Sequence, residues 1–178
     1  RNSGREHLSL IAGSQETMAA QTVMNAQNKP VSYIRETIAP FIKEGLDYII
    51  FETAPSVGGI QERAIWASDL VIIPTATEYL SIDGVKKVSD TLLALQQEKA
   101  WKGSLLGVLP TFYDEQTRES SSAIEDLRQV FGDRIMQPVH RATVFRECAA
   151  EGTTIFEKDP KSRAAEEYRQ LIGRVLKF

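Results

Sequence analysis

Two four-residue runs, Tyr48-Ile49-Ile50-Phe51 and Leu70-Val71-Ile72-Ile73, constrain this chain more than anything else in it. Neither run alternates apolar with polar residues, so each is patterned for burial on both faces. That is the pattern of a parallel strand with helices packed above and below it. Three further apolar stretches complete the set, so strands are expected at 8–12, 48–51, 70–74, 105–111 and 135–139. Between them, residues 32–43, 82–98, 121–131 and 161–176 repeat apolar residues at helical spacing: Ile34, Ile38, Phe41 and Ile42 in the first, Val85, Val88, Leu92 and Leu95 in the second. Ile124, Leu127, Val130 and Phe131 make the third stripe, and Ala164, Tyr168, Leu171, Ile172 and Val175 the fourth. Strands alternating with helices predict an α/β fold, a mostly parallel sheet with helices on both faces and right-handed crossovers. No repeat or linker interrupts the pattern, and residues 1–178 are expected to form a single domain.

Charge narrows the partners. The net charge is −3, yet it is unevenly spread. From Arg134 onward nine Lys/Arg face six Asp/Glu, a balance of +3, whereas the preceding residues hold twelve against eighteen, −6. A polyanion is therefore expected to touch the C-terminal third. The single cysteine, Cys148, permits no internal disulfide, and its Ala149-Ala150 neighbours suggest packing rather than reactivity. Trp66 and Trp101 flank strands and are expected as packing residues. No run of about 18 apolar residues predicts a membrane-spanning helix. Residues 1–7 are polar and the sequence does not open on Met, so a fragment or processed product is expected.

The run 48–51 leads directly into Glu52-Thr53-Ala54-Pro55-Ser56 and then Val57-Gly58-Gly59. In open α/β sheets ligands bind beyond the carboxyl ends of strands, and a carboxylate there can hold Mg²⁺ through water. An acid that merely caps or solubilises a strand end has the same local pattern, so both readings stand.

A longer set of residues resembles the ParA/Soj/MinD-type partition ATPases. Asp47 to Ser56 is similar to that family's switch II segment, an apolar strand ending in Asp-Thr-Pro-Pro-Ser, and Ala67 to Pro74 resembles its next strand. Thr77-Glu78-Tyr79-Leu80-Ser81-Ile82-Asp83-Gly84 resembles the following loop and helix start, and residues 107–114 the strand that ends in Thr-Met-Tyr-Asp. Asp159-Pro160-Lys161-Ser162, followed by Ala164, Glu166 and Tyr168, is the most specific match. The likeness runs in order from about residue 8 to the end. It implies a Rossmann-like P-loop NTPase fold lacking its N-terminal P-loop strand.

By that resemblance Glu52, Thr53, Pro55, Thr111, Tyr113 and Arg141 belong to a nucleotide site for ATP, with Mg²⁺ reached from Glu52 through water. Arg141, Arg146, Lys161 and Arg163 belong to a surface for nonspecific DNA. The implied protein is a chromosome or plasmid partition ATPase, cytoplasmic and nucleoid-associated, a homodimer with ATP at the interface and a ParB-like partner, with no membrane attachment. Two departures count against nucleotide chemistry in this chain. No Gly-x-x-x-x-Gly-Lys-Ser/Thr occurs in these residues, which removes the backbone cradle, the lysine and the Mg²⁺-ligating hydroxyl that hydrolysis needs. Glu52 stands where the family has Asp, moving the carboxylate by ~1.5 Å, one carbon–carbon bond. This chain alone is therefore expected not to hydrolyse ATP, and possession of a bound cofactor stays open.

The family's Ile-Pro-Arg reads Val139-His140-Arg141, which is expected to loosen that loop; His140 itself reads as a loop residue. Arg141, Arg146, Lys158, Lys161 and Arg163 can contact phosphates, or can be solvated charges paired with Glu147, Glu151, Glu157 and Glu166. Two other functions remain open: a non-catalytic dimerisation or partner-binding module on the same scaffold, and another ATPase of the MinD-like group. The lone cysteine disfavours the iron-cluster relative in that group, and the short tail disfavours the septum-site one.

Overall fold

The computed structural model describes residues 3–53, 59–78 and 82–178, apart from the Met18 side chain. They fall into two compact units, residues 1–68 and 69–178.

The first unit is helical. Its elements are α1 (Gln15–Ala26), α2 (Tyr33–Lys43) and α3 (Gly59–Ala67). Ser14 starts α1 with a capping box: its hydroxyl accepts from Glu16 N while Thr17 Oγ1 accepts from Ser14 N. Arg63 of α3 donates to Asn25 Oδ1 and Lys29 O, and Arg35 of α2 donates to Ala67 O. Among the described residues of this unit, Met24, Ala64 and Ala67 are the buried apolar ones. The expected stripe of α2 is present but stays wet, with Phe41 and Ile42 half-exposed and no residue of the helix buried.

Two expected strands are not strands here. Residues 8–12 hold one bridging residue, Ser9, and residues 48–51 hold none. Leu8, Leu10, Ile11, Tyr48 and Ile50 are exposed, Ile50 at 91%. The cause is nonlocal. An extended run becomes a strand only when neighbouring backbone takes up its N–H and C=O groups, whatever its own side chains prefer. The described residues give 48–51 no such ladder.

The second unit contains the sheet. In chain order it holds β1 (Leu70–Ala76), α4 (Ile82–Lys99), β2 (Ser104–Thr111), α5 (Arg118–Phe131), a 3₁₀ turn (Gly132–Arg134), α6 (Val144–Glu151), α7 (Ile155–Lys158) and α8 (Arg163–Val175). β1 and β2 pair in parallel, and both of their faces are covered. On one face Val71, Ile73, Leu105 and Val108 pack with Val85 and Val88 of α4 and Leu127 of α5. On the other, Leu70, Ile72, Leu106 and Leu109 pack with Tyr168, Leu171 and Val175 of α8. This is the α/β arrangement that the continuous run 70–73 requires. Trp101 is buried, as expected of a packing residue, and so is Cys148.

The register carries one irregularity. Val71 faces Leu105 and Ile72 faces Gly107, so Leu106 is an extra residue on β2, a bulge. The expected strand at 135–139 is present only as a broken third rung. Ile135 bridges Val108, Met136 N donates to Val108 O and Val139 N donates to Pro110 O. Pro138 has no N–H to continue the ladder. This segment runs so close to β2 that a Cβ on Gly107 would lie 2.5 Å from the Arg134 carbonyl oxygen.

Candidate functional site

The carboxyl ends of β1 and β2 are tied to each other before any functional residue appears. Thr77, just past β1, is fully buried, and its N–H donates to Thr111 O at 3.0 Å. Its hydroxyl lies 3.3 Å from Thr111 O and Phe112 O and 3.2 Å from Ser120 Oγ. Ser120 in turn accepts from Asp114 N at 3.4 Å, and Thr117 caps α5 by accepting from Ser120 N. The loop 111–117 is thereby set by buried hydroxyls. Phe112 takes a left-handed backbone at φ 53°, unusual for a bulky residue, with its ring half-exposed.

Opposite this loop lies the segment after Val139. Tyr113 N donates to Val139 O at 3.1 Å and Arg141 N donates to Tyr113 O at 2.9 Å, a parallel bridge between Tyr113 and His140. The two rings meet edge to face, 4.8 Å between centroids. Tyr113, Asp114, Glu115, His140, Arg141 and Arg163 are among the residues that line a cleft of about 300 Å³. Arg141 forms an ion pair with Glu78.

A charged network fills the α8 side of the cleft. The Glu167 carboxylate accepts from His140 N at 3.0 Å through Oε2 and lies 2.6 Å from His140 Nδ1 through Oε1. Arg163 donates through Nη1 and Nη2 to the two oxygens of Glu115, both at 3.2 Å, and through Nε to Glu167 Oε1 at 3.0 Å. Its Nη2 also lies 2.6 Å from His140 Nε2. A guanidinium carries no acceptor, so an Nε2 that meets Arg163 is the accepting nitrogen, which puts the imidazole proton on Nδ1, facing Glu167; Glu115 Oε2 stands 3.5 Å from the same Nε2. Hydrogen bonding from Arg163 holds the Glu115 carboxyl below the usual carboxylate range, and Glu115 raises the Arg163 guanidinium in turn.

The sequence-selected residues separate into groups. Thr111, Tyr113, Arg141 and Arg163 converge at the strand ends of the second unit. Arg146, in the first turn of α6, and Lys161, before α8, are exposed and have no ion pair among the described residues. Lys158 is held by Glu151 at 2.5 Å and Glu147 at 3.2 Å, which raises its ammonium, Glu151 contributing most. Glu52 and Thr53 lie exposed in the first unit, in no regular element. Pro55 lies outside the described residues. Sequence reasoning passed over Glu115 and Glu167, named Glu78 only within the run 77–84, and treated His140 as a loosened loop position, whereas Glu167 holds it by both backbone and ring. The Arg163–Glu167 pair was findable, since four residues on a helix bring them together.

Against a bound nucleotide, the donor set fits at one end only. The cleft offers an aromatic ring, backbone groups and Arg141, which suit a base and sugar. No phosphate cradle of the Gly-x-x-x-x-Gly-Lys-Ser/Thr kind occurs in the sequence. For Mg²⁺ the described residues hold no group of three His, Cys, Asp or Glu side chains, leaving Glu52 as a partner through water alone. Among the described residues no helix is long and apolar enough to cross a membrane.

A family model described as an AAA domain matches residues 1–104. The chain is 33% identical over 135 residues to the sporulation initiation inhibitor protein Soj of Bacillus subtilis strain 168, covering 75% of this chain and 53% of Soj. It is 26% identical over 172 residues to the chromosome partitioning protein ParA of Myxococcus xanthus strain DK1622, covering 96% of this chain and 60% of ParA. Among solved structures, Cyanothece apo McdA superposes with a TM-score of 0.81 at 18% identity, over 92% of this chain and 66% of McdA. An ATP complex of a Cyanothece McdA variant gives 0.75 at 19%, over 88% and 60%. At such identities the structural likeness speaks for the fold. The chain spans a little over half the length of the curated relatives it matches.

Proposed function

The chain belongs to the ParA/Soj-type partition ATPase family, and on that premise we propose that it is the part of such an ATPase that receives the base of ATP and contacts DNA. The observation that carries this reading is the convergence of Thr111, Tyr113 and Arg141 at the carboxyl ends of two parallel strands, where open α/β sheets bind ligands. On this reading the Tyr113 ring meets the base, Arg141, paired with Glu78, lines the same cleft, and Thr111 ends β2 two residues before Tyr113. Glu52, Thr53 and Pro55 keep the phosphate-side roles that the family resemblance gives them, Glu52 toward Mg²⁺ through water. When bound, Mg·ATP supplies the phosphate charge that joins two subunits. The residues of the cleft hold its base end and do not themselves cleave it. The reading of residues 1–178 as one domain belongs with this proposal, and a single cooperative unfolding transition is the expected sign of it.

The same reading makes the basic C-terminal third a sequence-independent DNA surface through Arg141, Arg146 and Lys161, with Arg163 joining only if its present partners release it. The protein then works as a homodimer in the cytoplasm, on the nucleoid, with a ParB-like partner. Retention on random-sequence DNA at two salt concentrations tests this. Three phosphate contacts lower the affinity by about 40-fold between roughly 50 and 200 mM salt. Retention that ignores salt, or no retention, removes the DNA part of the proposal.

A second reading is favoured by Glu52 in place of Asp: a dimerising or partner-binding module that uses the scaffold without ATP. Calorimetry of this chain with Mg·ATP separates the two, since micromolar binding removes the module reading.

A further inference from the structure

The hold on His140 is unlike the rest of the cleft. Glu167 is 11% exposed and His140 17%, and one carboxylate grips residue 140 twice, at its backbone N–H and at its imidazole. The next residue is Arg141, whose own N–H is committed to Tyr113 O. Fixing the backbone at 140 therefore fixes the start of Arg141 and, through the Tyr113 bridge, the loop 111–115. Arg163 closes the ring from the other side, with Glu115 of that loop in a two-pronged pair and Glu167 and His140 behind it. Three elements far apart in sequence are thus joined by one guanidinium: the β2–α5 loop, the segment before α6 and the first turns of α8. Charged and bidentate hydrogen bonds of this kind hold direction as well as distance.

We propose that Glu167 and Arg163 are positioning residues that clamp His140 and Glu115 and thereby hold Arg141 and the 111–115 loop at the base end of the cleft. The clamp occupies Nε, Nη1 and Nη2 of Arg163, so this residue acts inside the protein rather than on a polyanion. The inference rests on the base-end reading given under Proposed function, and its test separates the two.

The test uses this chain, isotopically labelled, and two readouts. Imidazole nitrogen resonances report the tautomer of each histidine, with free histidine in the same buffer as the reference. At about pH 7.5, His140 is expected in the Nδ1–H form, and Glu167→Gln returns it to the mixture of free histidine. AMP, which needs no triphosphate cradle, is then titrated while the Tyr113 and Arg141 amides are followed. Glu167→Gln is expected to weaken AMP by about tenfold, the scale of one charge-assisted hydrogen bond. Should that variant fail to fold, Glu115→Gln on the exposed side of the clamp is expected to weaken AMP by about threefold, because it frees Arg163 without touching the buried carboxylate. A wild-type His140 with the tautomer mixture of free histidine, or variants that bind AMP as wild type does, overturns the clamp. If AMP moves neither amide in the wild type, the base-end reading falls, and the tautomer and the Arg141 amide shift in Glu167→Gln decide the clamp by themselves.

Discussion

The runs 48–51 and 70–73 are nearly interchangeable as sequence, yet one is bare chain and the other a strand covered on both faces. Ile50 is 91% exposed, whereas Ile73 is 8% exposed and packs with Val85, Val108 and Leu127. Both are isoleucines in four-residue apolar runs, so side-chain preference does not separate them. The difference is the neighbour: β1 has β2 beside it, with Leu105 and Val108 in register, and 48–51 has no ladder among the described residues. An apolar run states a capacity for burial, and the partner decides whether the capacity is used.

The largest effect that can break this comparison is truncation on each side of it. Leu127→Ala, at 0% exposure, is expected to cost ~3 kcal/mol, against less than ~0.5 kcal/mol for Ile50→Ala, read from urea unfolding. Equal costs would mean that 48–51 is buried in solution. Next in size is Gly107→Ala. The added methyl meets the Arg134 carbonyl, a backbone atom that cannot rotate away, so a loss of ~2 kcal/mol is expected. An unchanged midpoint would place the 134–136 segment farther from β2.

The smallest effect is acid-specific. Glu115 titrates below the usual carboxylate range, ~4.3, because Arg163 hydrogen-bonds its ionised form. A depressed carboxyl adds stability above its unfolded value and loses it as the pH falls through the folded one. Glu115→Gln should therefore lower stability slightly at neutral pH and flatten the decline below about pH 4.3. Denaturant midpoints measured across that range check the sign.

Legibility in the sequence follows the same divide. Strands 70–74 and 105–111 and the helices from 82, 121 and 161 onward were readable, because a periodic stripe that meets a covered sheet is realised where it is written. Residues 8–12 and 48–51 were misread, since pairing is not a property of a segment. The third rung was half right: its apolar run is real, and Pro138 interrupts the ladder. Tyr113 and Arg141, both expected near one another from the resemblance, line one cleft, and Thr111 ends β2 just before it. The clamp could not be read, because Arg163 finds Glu115 forty-eight residues away and His140 twenty-three away, distances over which sequence carries no contact signal.

In a regular strand, residues three apart point to opposite sides, yet Leu105 and Val108 share the α4–α5 side of β2, and Leu106 and Leu109 share the α8 side. The unmatched Leu106 is what reconciles those spacings with the even alternation of β1. Elsewhere in β2, adding or removing one residue would turn every later side chain over. Within the bulge, at Leu106 or Gly107, a deletion would restore simple alternation and leave Val108 and Leu109 facing as they do; losing Leu106 would cost α8 a single leucine. The strand thus has one place where its length can change without its phase.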